Sequence, residues 1–152
     1  MTSAAYDRLA TETMDTLYDA CEALVEEWSP EGTRGWEVEY SVRLSCFLPL
    51  CDSPRADRMT DQSGVLTLAL GPHGTYVINK QPPNQQIWMS SPFSGPARFS
   101  YAPEGDEERG ARWYYARDQV TLGSVLDQEI RSVLVAEVGE RDAQAWRGSG
   151  VP

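Results

Sequence analysis

The 152-residue chain has little histidine and little cysteine, and these shortages exclude several kinds of site. His73 is the single histidine, which excludes histidine-rich metal centres and disfavours histidine-based acid–base catalysis. Cys21, Cys46 and Cys51 form neither a CxxC pair nor a zinc-binding spacing, so a reducing compartment is the simplest interpretation. Apolar runs also fall well short of the ~20 residues that span a bilayer, which predicts no membrane association.

Basic residues are scarce in the first 40 positions. Ten acids occur there against two arginines, Arg8 and Arg34, so this region has a net charge of −8. The whole chain has a net charge of −10, and the rest of it therefore carries −2. This asymmetry predicts a cationic partner for the N-terminal region and argues against nucleic acid, whose phosphates the acids would repel.

Two segments have the apolar periodicity of amphipathic helices. The first covers about residues 6–28 and ends before Pro30. The second covers about residues 122–138, with Thr121 placed to cap its N-terminus and Gly139 its C-terminus. The predicted apolar faces are Tyr6, Leu9, Leu17, Leu24 and Trp28 in the first helix and Leu122, Val125, Leu126, Ile130, Val133 and Leu134 in the second.

Short alternating segments between the two helices predict a series of strands. They cover residues 36–40, 65–70, 75–80, 86–90, 98–101 and 113–115, and the proline-containing segment 92–96 interrupts the series. The order predicts an α+β fold: an antiparallel β-sheet with two helices packed on one face and solvent on the other. We expect a single domain over residues 1–152, with a core at about 4–139 and a loose tail at 140–152.

The predicted strands sort their side chains into an apolar face and a polar face. Trp88 alternates with Ile87 and Met89, while Asn79 and Gln81 lie opposite Ile78. An exposed tryptophan among amides is typical of a binding hot spot. The alternative is that Trp88 belongs to the core and the amides are turn residues.

Five acids recur at spacings of 3, 4, 3 and 4 along the first predicted helix and share the face opposite its apolar side. We call them the acidic row: Glu12, Asp15, Asp19, Glu22 and Glu26. Like charges at these spacings repel one another, and no basic residue lies between Arg8 and Arg34 to compensate. Carboxylate oxygens suit a hard cation such as Fe²⁺ when histidine and cysteine are absent. A solvated helix face and an acidic adaptor without metal remain as alternatives.

Residues 74–98, with the sequence GTYVINKQPPNQQIWMSSPFSGPAR, resemble the signature of the frataxin family, and the mitochondrial branch more than the bacterial one. The resemblance extends back through residues 63–67 and YDRLATETMDTL and forward, more weakly, through Trp113 and the second helix. It covers most of the chain except residues 42–62 and the tail, and it implies the same α+β sandwich.

The resemblance also implies a function. It implies a regulatory protein of mitochondrial iron–sulfur cluster assembly that binds Fe(II) weakly through the acidic row and Glu37. A complex of cysteine desulfurase and iron–sulfur scaffold protein would be its partner, in the mitochondrial matrix, with the transit peptide absent from this chain. The family's partner-binding positions match Asn79, Gln81, Gln86, Trp88 and Arg98.

Other properties of the family stay open for this chain. We expect a monomer, with an iron-dependent oligomer as the alternative. A ferroxidase or iron-storage protein is the alternative function, but it usually needs a Glu-x-x-His type of centre, which this sequence does not contain.

Residues 42–62 separate two strands that the family joins by a tight turn. The segment shows no strand alternation, and a long structureless connection is unusual inside a compact domain. Joining the flanks gives WEVEYS-SGVLTLALG, which restores the family's spacing. The ends of the segment can also encode splice signals, so we hypothesise that it is a translated intron, with a genuine insertion as the alternative. Cys46 and Cys51 are expected to be unconnected to function.

Overall fold

The computed structural model describes residues 1–30, 35–44, 62–102 and 111–152. Within these ranges two long helices enclose a run of strands, as the sequence predicts. The elements are α1 (Ser3–Trp28), β1 (Glu37–Leu44), β2 (Gln62–Ala69), β3 (Thr75–Gln81), β4 (Gln86–Ser91), β5 (Gly95–Ala102), β6 (Arg112–Tyr115), β7 (Val120–Thr121), α2 (Leu122–Val138) and α3 (Glu140–Ala143). Short 3-10 turns at Gly71–His73 and Pro82–Asn84 connect β2 to β3 and β3 to β4.

The described strands form one sheet whose spatial order, β1 to β7, is the order of the chain. Each strand pairs antiparallel with the next. Helix α1 contacts β1 and β2, while α2 contacts β6 and β7. The two helices therefore cover opposite ends of the sheet on the same face. This arrangement confirms the predicted α+β fold.

The hydrophobic core lies between the helices and the sheet. Along β3 and β4 buried side chains alternate with more exposed ones, because successive strand residues point to opposite faces. The core includes Tyr6, Met14, Leu17 and Leu24 of α1, Leu66, Leu68, Tyr76, Ile78, Ile87, Met89, Phe99 and Trp113 of the sheet, and Leu126, Ile130 and Leu134 of α2. The opposite face of the sheet is therefore free to carry polar side chains; we call it the open face.

Both helices begin at a capping side chain. Helix α1 begins three residues earlier than predicted, because the Thr2 side chain accepts a hydrogen bond from the Ala5 N–H at 3.1 Å. Helix α2 has the predicted bounds, and Thr121 forms a reciprocal capping box with Ser124. Gly139 ends α2 with a φ of 88°, a conformation that glycine adopts without strain.

The C-terminal residues pack against the helices, so the prediction of a loose tail over residues 140–152 is wrong. The side chains of Trp146, Ser149 and Val151 are buried. The Ser149 N–H donates to Asp127 Oδ1 of α2 at 2.7 Å. A Cβ on Gly123 would lie 1.9 Å from the Val151 carbonyl oxygen, so glycine alone allows the tail to approach α2 this closely. The pattern was missed because the tail buries a few isolated apolar residues without helical or strand periodicity.

Two other strand predictions need correction. Strand β5 begins at Gly95 and includes Pro96, which the sequence predicted to lie in an interruption. Pro96 pairs with Ser90 of β4, while the described pairing of β5 with β6 begins at Ser100, so one side of the strand is unpaired at the proline. Proline is tolerated at such a position. Strand β7 was not predicted, because two residues carry no detectable alternation.

The ends of segment 42–62 belong to the first hairpin. Strand β1 runs on to Leu44 and β2 starts at Gln62, and these two residues pair with each other. The prediction that the segment has no strand structure is therefore wrong for its ends. Residues 45–61, including Cys46 and Cys51, lie outside the described residues.

Candidate functional site

The five predicted partner-binding residues come together on the open face of the sheet. Asn79, Trp88 and Arg98 are neighbours across β3, β4 and β5. Gln81 and Gln86 form the adjacent cross-strand pair, next to the β3–β4 turn. We call these five residues the tryptophan patch. Their proximity follows from the register, because directly opposed residues project on the same face.

Direct contacts link the side chains of the tryptophan patch. The Trp88 indole Nε1 donates to Gln86 Oε1 at 2.9 Å, and Asn79 Nδ2 is 3.5 Å from Gln81 Oε1. The Arg98 guanidinium lies over the Trp88 ring, with its Cζ 4.6 Å from the ring centroid, which is a cation–π contact. The side chains therefore hold one another in place before any partner arrives.

The exposure of the patch fits a binding surface rather than part of the core. Trp88 is half-buried and Arg98 is exposed, whereas Ile87 and Met89 on either side of Trp88 are buried. The alternative that Trp88 is a core residue is therefore wrong. An aromatic ring, a guanidinium and three amides offer apolar area and hydrogen bonds, which together suit recognition of a protein surface.

Ser100 is a member of this surface that the sequence did not single out. It lies opposite Gln86 across β4 and β5, and its Oγ is 3.1 Å from Gln86 Nε2. Trp88, Gln86 and Ser100 thus form a chain of hydrogen-bonded side chains. A serine two residues after Arg98 carries no distinctive sequence signal, so only the strand pairing reveals that Ser100 belongs to this surface.

The acidic row lies on the exposed side of α1, as predicted. All five carboxylates are exposed, and at 1.5 Å per residue the row extends for about 21 Å. Within the described residues no group of three or more histidine, cysteine, aspartate or glutamate side chains is placed to hold a metal ion. The row therefore offers a line of separate carboxylates to a cation.

Glu37 lies apart from the acidic row. In β1 it alternates with buried Trp36 and with Val38, which packs against the core. Because neighbouring strand residues point to opposite faces, Glu37 is on the open face and α1 is on the other. The structure thus separates this residue from the five helical acids with which it was grouped.

The negative field of the row reaches the edge of the sheet. The Tyr18 ring of α1 lies 5.9 Å from the Tyr40 ring of β1, measured between centroids. The pKa of Tyr40 is raised, first by burial and then by the negative charges of Asp15 and Asp7. Asp15 of the acidic row therefore lies near β1.

Cys21, on the opposite side of α1, is a structural residue. Burial raises the pKa of its thiol to about 12, so the thiol stays protonated at neutral pH. A protonated, buried thiol is a poor nucleophile and a poor metal ligand.

Comparison with known proteins identifies the family. A family profile for the frataxin-like domain matches residues 50–136, which include β2 to β7 and most of α2. The chain belongs to the frataxin-like family. The resemblance found in residues 74–98 is thereby confirmed.

Individual relatives support this membership. The chain is 36% identical to the mitochondrial frataxin homolog of Schizosaccharomyces pombe and 38% identical to that of Drosophila melanogaster, over 86% and 88% of its own length. It spans 64% and 57% of the length of these two relatives. A trimeric frataxin from Saccharomyces cerevisiae, solved in complex with ferrous iron, superposes with a TM-score of 0.57 at 33% identity, covering 82% of this chain and 84% of that one.

The residues matched by the family profile include one of the two candidate regions and leave out the other. The tryptophan patch falls inside the matched residues 50–136 of this frataxin-like chain, whereas the acidic row precedes them. Among the helices that the structure describes, none is long and apolar enough to cross a membrane.

Proposed function

We propose that this frataxin-like chain is an iron-binding regulatory protein of iron–sulfur cluster assembly in the mitochondrial matrix. It docks on the complex of cysteine desulfurase and iron–sulfur scaffold protein and promotes sulfur transfer or cluster formation. The observation that carries the proposal is the tryptophan patch. The names of the mitochondrial relatives and the ferrous complex of the yeast neighbour support it.

The patch has the properties that make a protein interface strong. Tryptophan and arginine are the residues most enriched at interface hot spots, and here the two are stacked. The hydrogen bond from Trp88 to Gln86 already fixes the indole, so little side-chain entropy is lost on docking. The surrounding amides would donate and accept hydrogen bonds at the rim.

Iron is a cargo of the acidic row in this proposal. Exposed carboxylates are hard oxygen ligands, and neighbouring pairs on the helix supply two at a time. Water completes the coordination of an ion held in this way, so binding is weak and readily reversed. A row of similar pairs would pass an ion to a partner more easily than one closed site would.

The docking half of the proposal is tested with Trp88→Ala. We expect the dissociation constant for the desulfurase–scaffold complex to rise about 30-fold or more, since hot-spot truncations typically cost 2 kcal/mol or more. Phe93→Ala is the control, because Phe93 is an exposed aromatic residue outside the patch. Circular dichroism verifies that both variants keep the fold. Equal affinity of Trp88→Ala and the parent protein would contradict docking through the patch.

The iron half is tested by anaerobic calorimetry with Fe²⁺. We expect weak, saturable binding, and no heat of binding would support an acidic adaptor without metal. Oxygen consumption measured after air is admitted separates iron binding from the ferroxidase alternative. Sedimentation with and without Fe²⁺ distinguishes a monomer from an iron-dependent oligomer.

A further inference from the structure

A buried lysine lies directly behind the tryptophan patch. Lys80 is 2% exposed and occupies the strand position between Asn79 and Gln81, with its side chain on the helix-facing side of β3. Its Nζ is 3.2 Å from Asp7 Oδ1 and 3.1 Å from Thr11 Oγ1, both in α1. A buried ammonium group is strongly unfavourable without such partners. The position of Lys80 is therefore tied to the N-terminal turns of α1.

A second contact from the same helix holds the neighbouring strand. The Tyr6 hydroxyl donates to the Gln86 backbone carbonyl at 2.8 Å. Gln86 pairs with Gln81, and this is the last pair before the turn at Pro82–Asn84. Contacts from α1 thus reach both strands of the hairpin from the face opposite the patch.

We propose that Lys80 is a positioning residue of the tryptophan patch. Its contacts with Asp7 and Thr11 hold its side chain on the helix-facing side of β3. Asn79 and Gln81, the neighbours of Lys80 in the strand, therefore project on the open face. The inference rests on the proposed docking function, because it assigns a role to Lys80 within that same site. It makes the helix layer a determinant of partner binding, although α1 does not touch the docking face.

The physical basis is the two-residue period of a strand. If the Lys80 side chain moved to the open face, Asn79 and Gln81 would turn inward, since neighbouring strand residues alternate between faces. Burial of apolar side chains alone would tolerate small shifts at the end of the hairpin. A charged group with two fixed partners has one favourable geometry, so it specifies the orientation of its neighbours more sharply.

A positioning role for Lys80 and a purely stabilising role make different predictions for the variant Lys80→Met. Lys80→Met removes a buried charge and leaves Asp7 without its lysine, but the Asp7 side chain is 53% exposed and water can solvate it, so the fold should persist. The patch should nevertheless lose order, because methionine is flexible and has no fixed partner. Val133→Ala is the matched control: it weakens the core at α2, on a helix that carries none of the contacts to Lys80.

The first measurement needs no partner protein. Nuclear magnetic resonance reports the side-chain amides of Asn79, Gln81 and Gln86 and the indole N–H of Trp88. We expect these signals to shift and broaden in Lys80→Met and Asp7→Asn and to stay unchanged in Val133→Ala. Unchanged patch signals in a folded Lys80→Met protein would overturn the positioning role.

The second measurement is affinity for the desulfurase–scaffold complex. We expect Lys80→Met to weaken it about tenfold and Asp7→Asn somewhat less, with no further loss when the two are combined, because residues in one contact are not additive. Should Lys80→Met fail to fold, Asp7→Asn carries the test, since the Asp7 side chain is 53% exposed.

The outcomes separate this inference from the function on which it rests. If Trp88→Ala abolishes docking while Lys80→Met and Asp7→Asn bind as the parent does, the positioning role is wrong and docking stands. If Trp88→Ala binds normally, the proposed function fails, and the resonance measurement still decides whether Lys80 orders the patch.

Discussion

The tryptophan patch and the acidic row are built in different ways. The patch joins residues from three strands, and each of its side chains contacts another. The row comes from a single helix, its carboxylates point into solvent, and no described group of them forms a metal cage. One region depends on tertiary contacts and the other on helical periodicity.

This difference leads to different tolerances. A preorganised surface loses affinity when any member moves, so docking should be sensitive to single substitutions within or behind the patch. A line of separate carboxylates retains most of its field when one is lost. We therefore expect one substitution to damage docking and several to be needed to damage iron binding.

The largest effect should be on the stability of the fold that carries both regions, and it should come from displacing the C-terminal tail. Gly123→Ala places a Cβ 1.9 Å from the Val151 carbonyl oxygen and displaces the tail, which also passes within contact distance of Thr16 in α1. Crowding of this kind typically costs about 1–3 kcal/mol, more than the gain in helix propensity from alanine. Thermal and urea unfolding should show the loss.

A shortened chain provides the control for Gly123→Ala. Deleting residues 149–152 removes the Val151 carbonyl, so the same substitution should then be neutral or slightly stabilising. Equal destabilisation in the full and shortened chains would show that the tail is not the cause.

The contrast between local and tertiary signals also explains what the sequence predicts. Helix α2 was located to the residue, because Thr121 and Gly139 mark its ends and its apolar stripe is long. The grouping of Trp88 with Asn79 and Arg98 followed from strand alternation together with the family resemblance, while their direct pairing comes from the structure. Both depend on patterns within a short stretch of chain.

Features that depend on distant partners were missed. Lys80 falls in the buried phase of β3, but nothing near it in sequence indicates that Asp7 and Thr11 would compensate its charge. The prediction for the tail was wrong for the same reason, since the burial of Val151 depends on Gly123. The placement of Glu37 depended on which face of β1 the helices cover, and alternation alone does not decide that.

The next effect in size tests the patch with the acidic row unchanged. Arg98→Ala removes the cation–π contact with Trp88 and should weaken docking about tenfold, with Fe²⁺ binding unaffected. Surface plasmon resonance and anaerobic calorimetry measure the two properties. Arg117→Ala is the matched control, because Arg117 is an exposed arginine outside the patch. A similar loss in both variants would mean that net charge, and not the patch, determines docking.

A smaller effect on the fold should accompany loss of the row. The triple variant Asp15→Asn, Asp19→Asn, Glu22→Gln should reduce Fe²⁺ binding while docking through the patch persists. Relief of repulsion should also raise the free energy of unfolding by a few tenths of a kcal/mol for each like-charged pair. Calorimetry measures Fe²⁺ binding, and urea unfolding measures the change in the free energy of unfolding.

A second triple variant separates the row from total charge. Asp118→Asn, Glu140→Gln, Asp142→Asn removes the same number of exposed acids from the C-terminal half of the chain. It should leave iron binding close to that of the parent protein. Iron binding that survives loss of the row, or that falls equally in both triple variants, would contradict a role for the row.

The smallest effect on either region should come from deleting residues 42–62. Ser41 pairs with Val65, so joining Ser41 to Ser63 leaves Ser63 and Gly64 as a two-residue hairpin loop. Such loops are the commonest hairpin connection, and glycine suits their positive φ angles. Docking and iron binding should stay at the parent level, because the patch begins at β3 and the row lies on α1.

Two opposing terms set the stability of the deletion variant. A shorter connection costs less entropy to close, while the cross-strand pairs from Val42–Gly64 to Leu44–Gln62 are lost. We expect a net change within about 1 kcal/mol in the free energy of unfolding. A variant that does not fold would show that the segment is part of the fold. Sequencing the spliced transcript decides the origin of the segment, since a mature message that retains these codons excludes the translated intron.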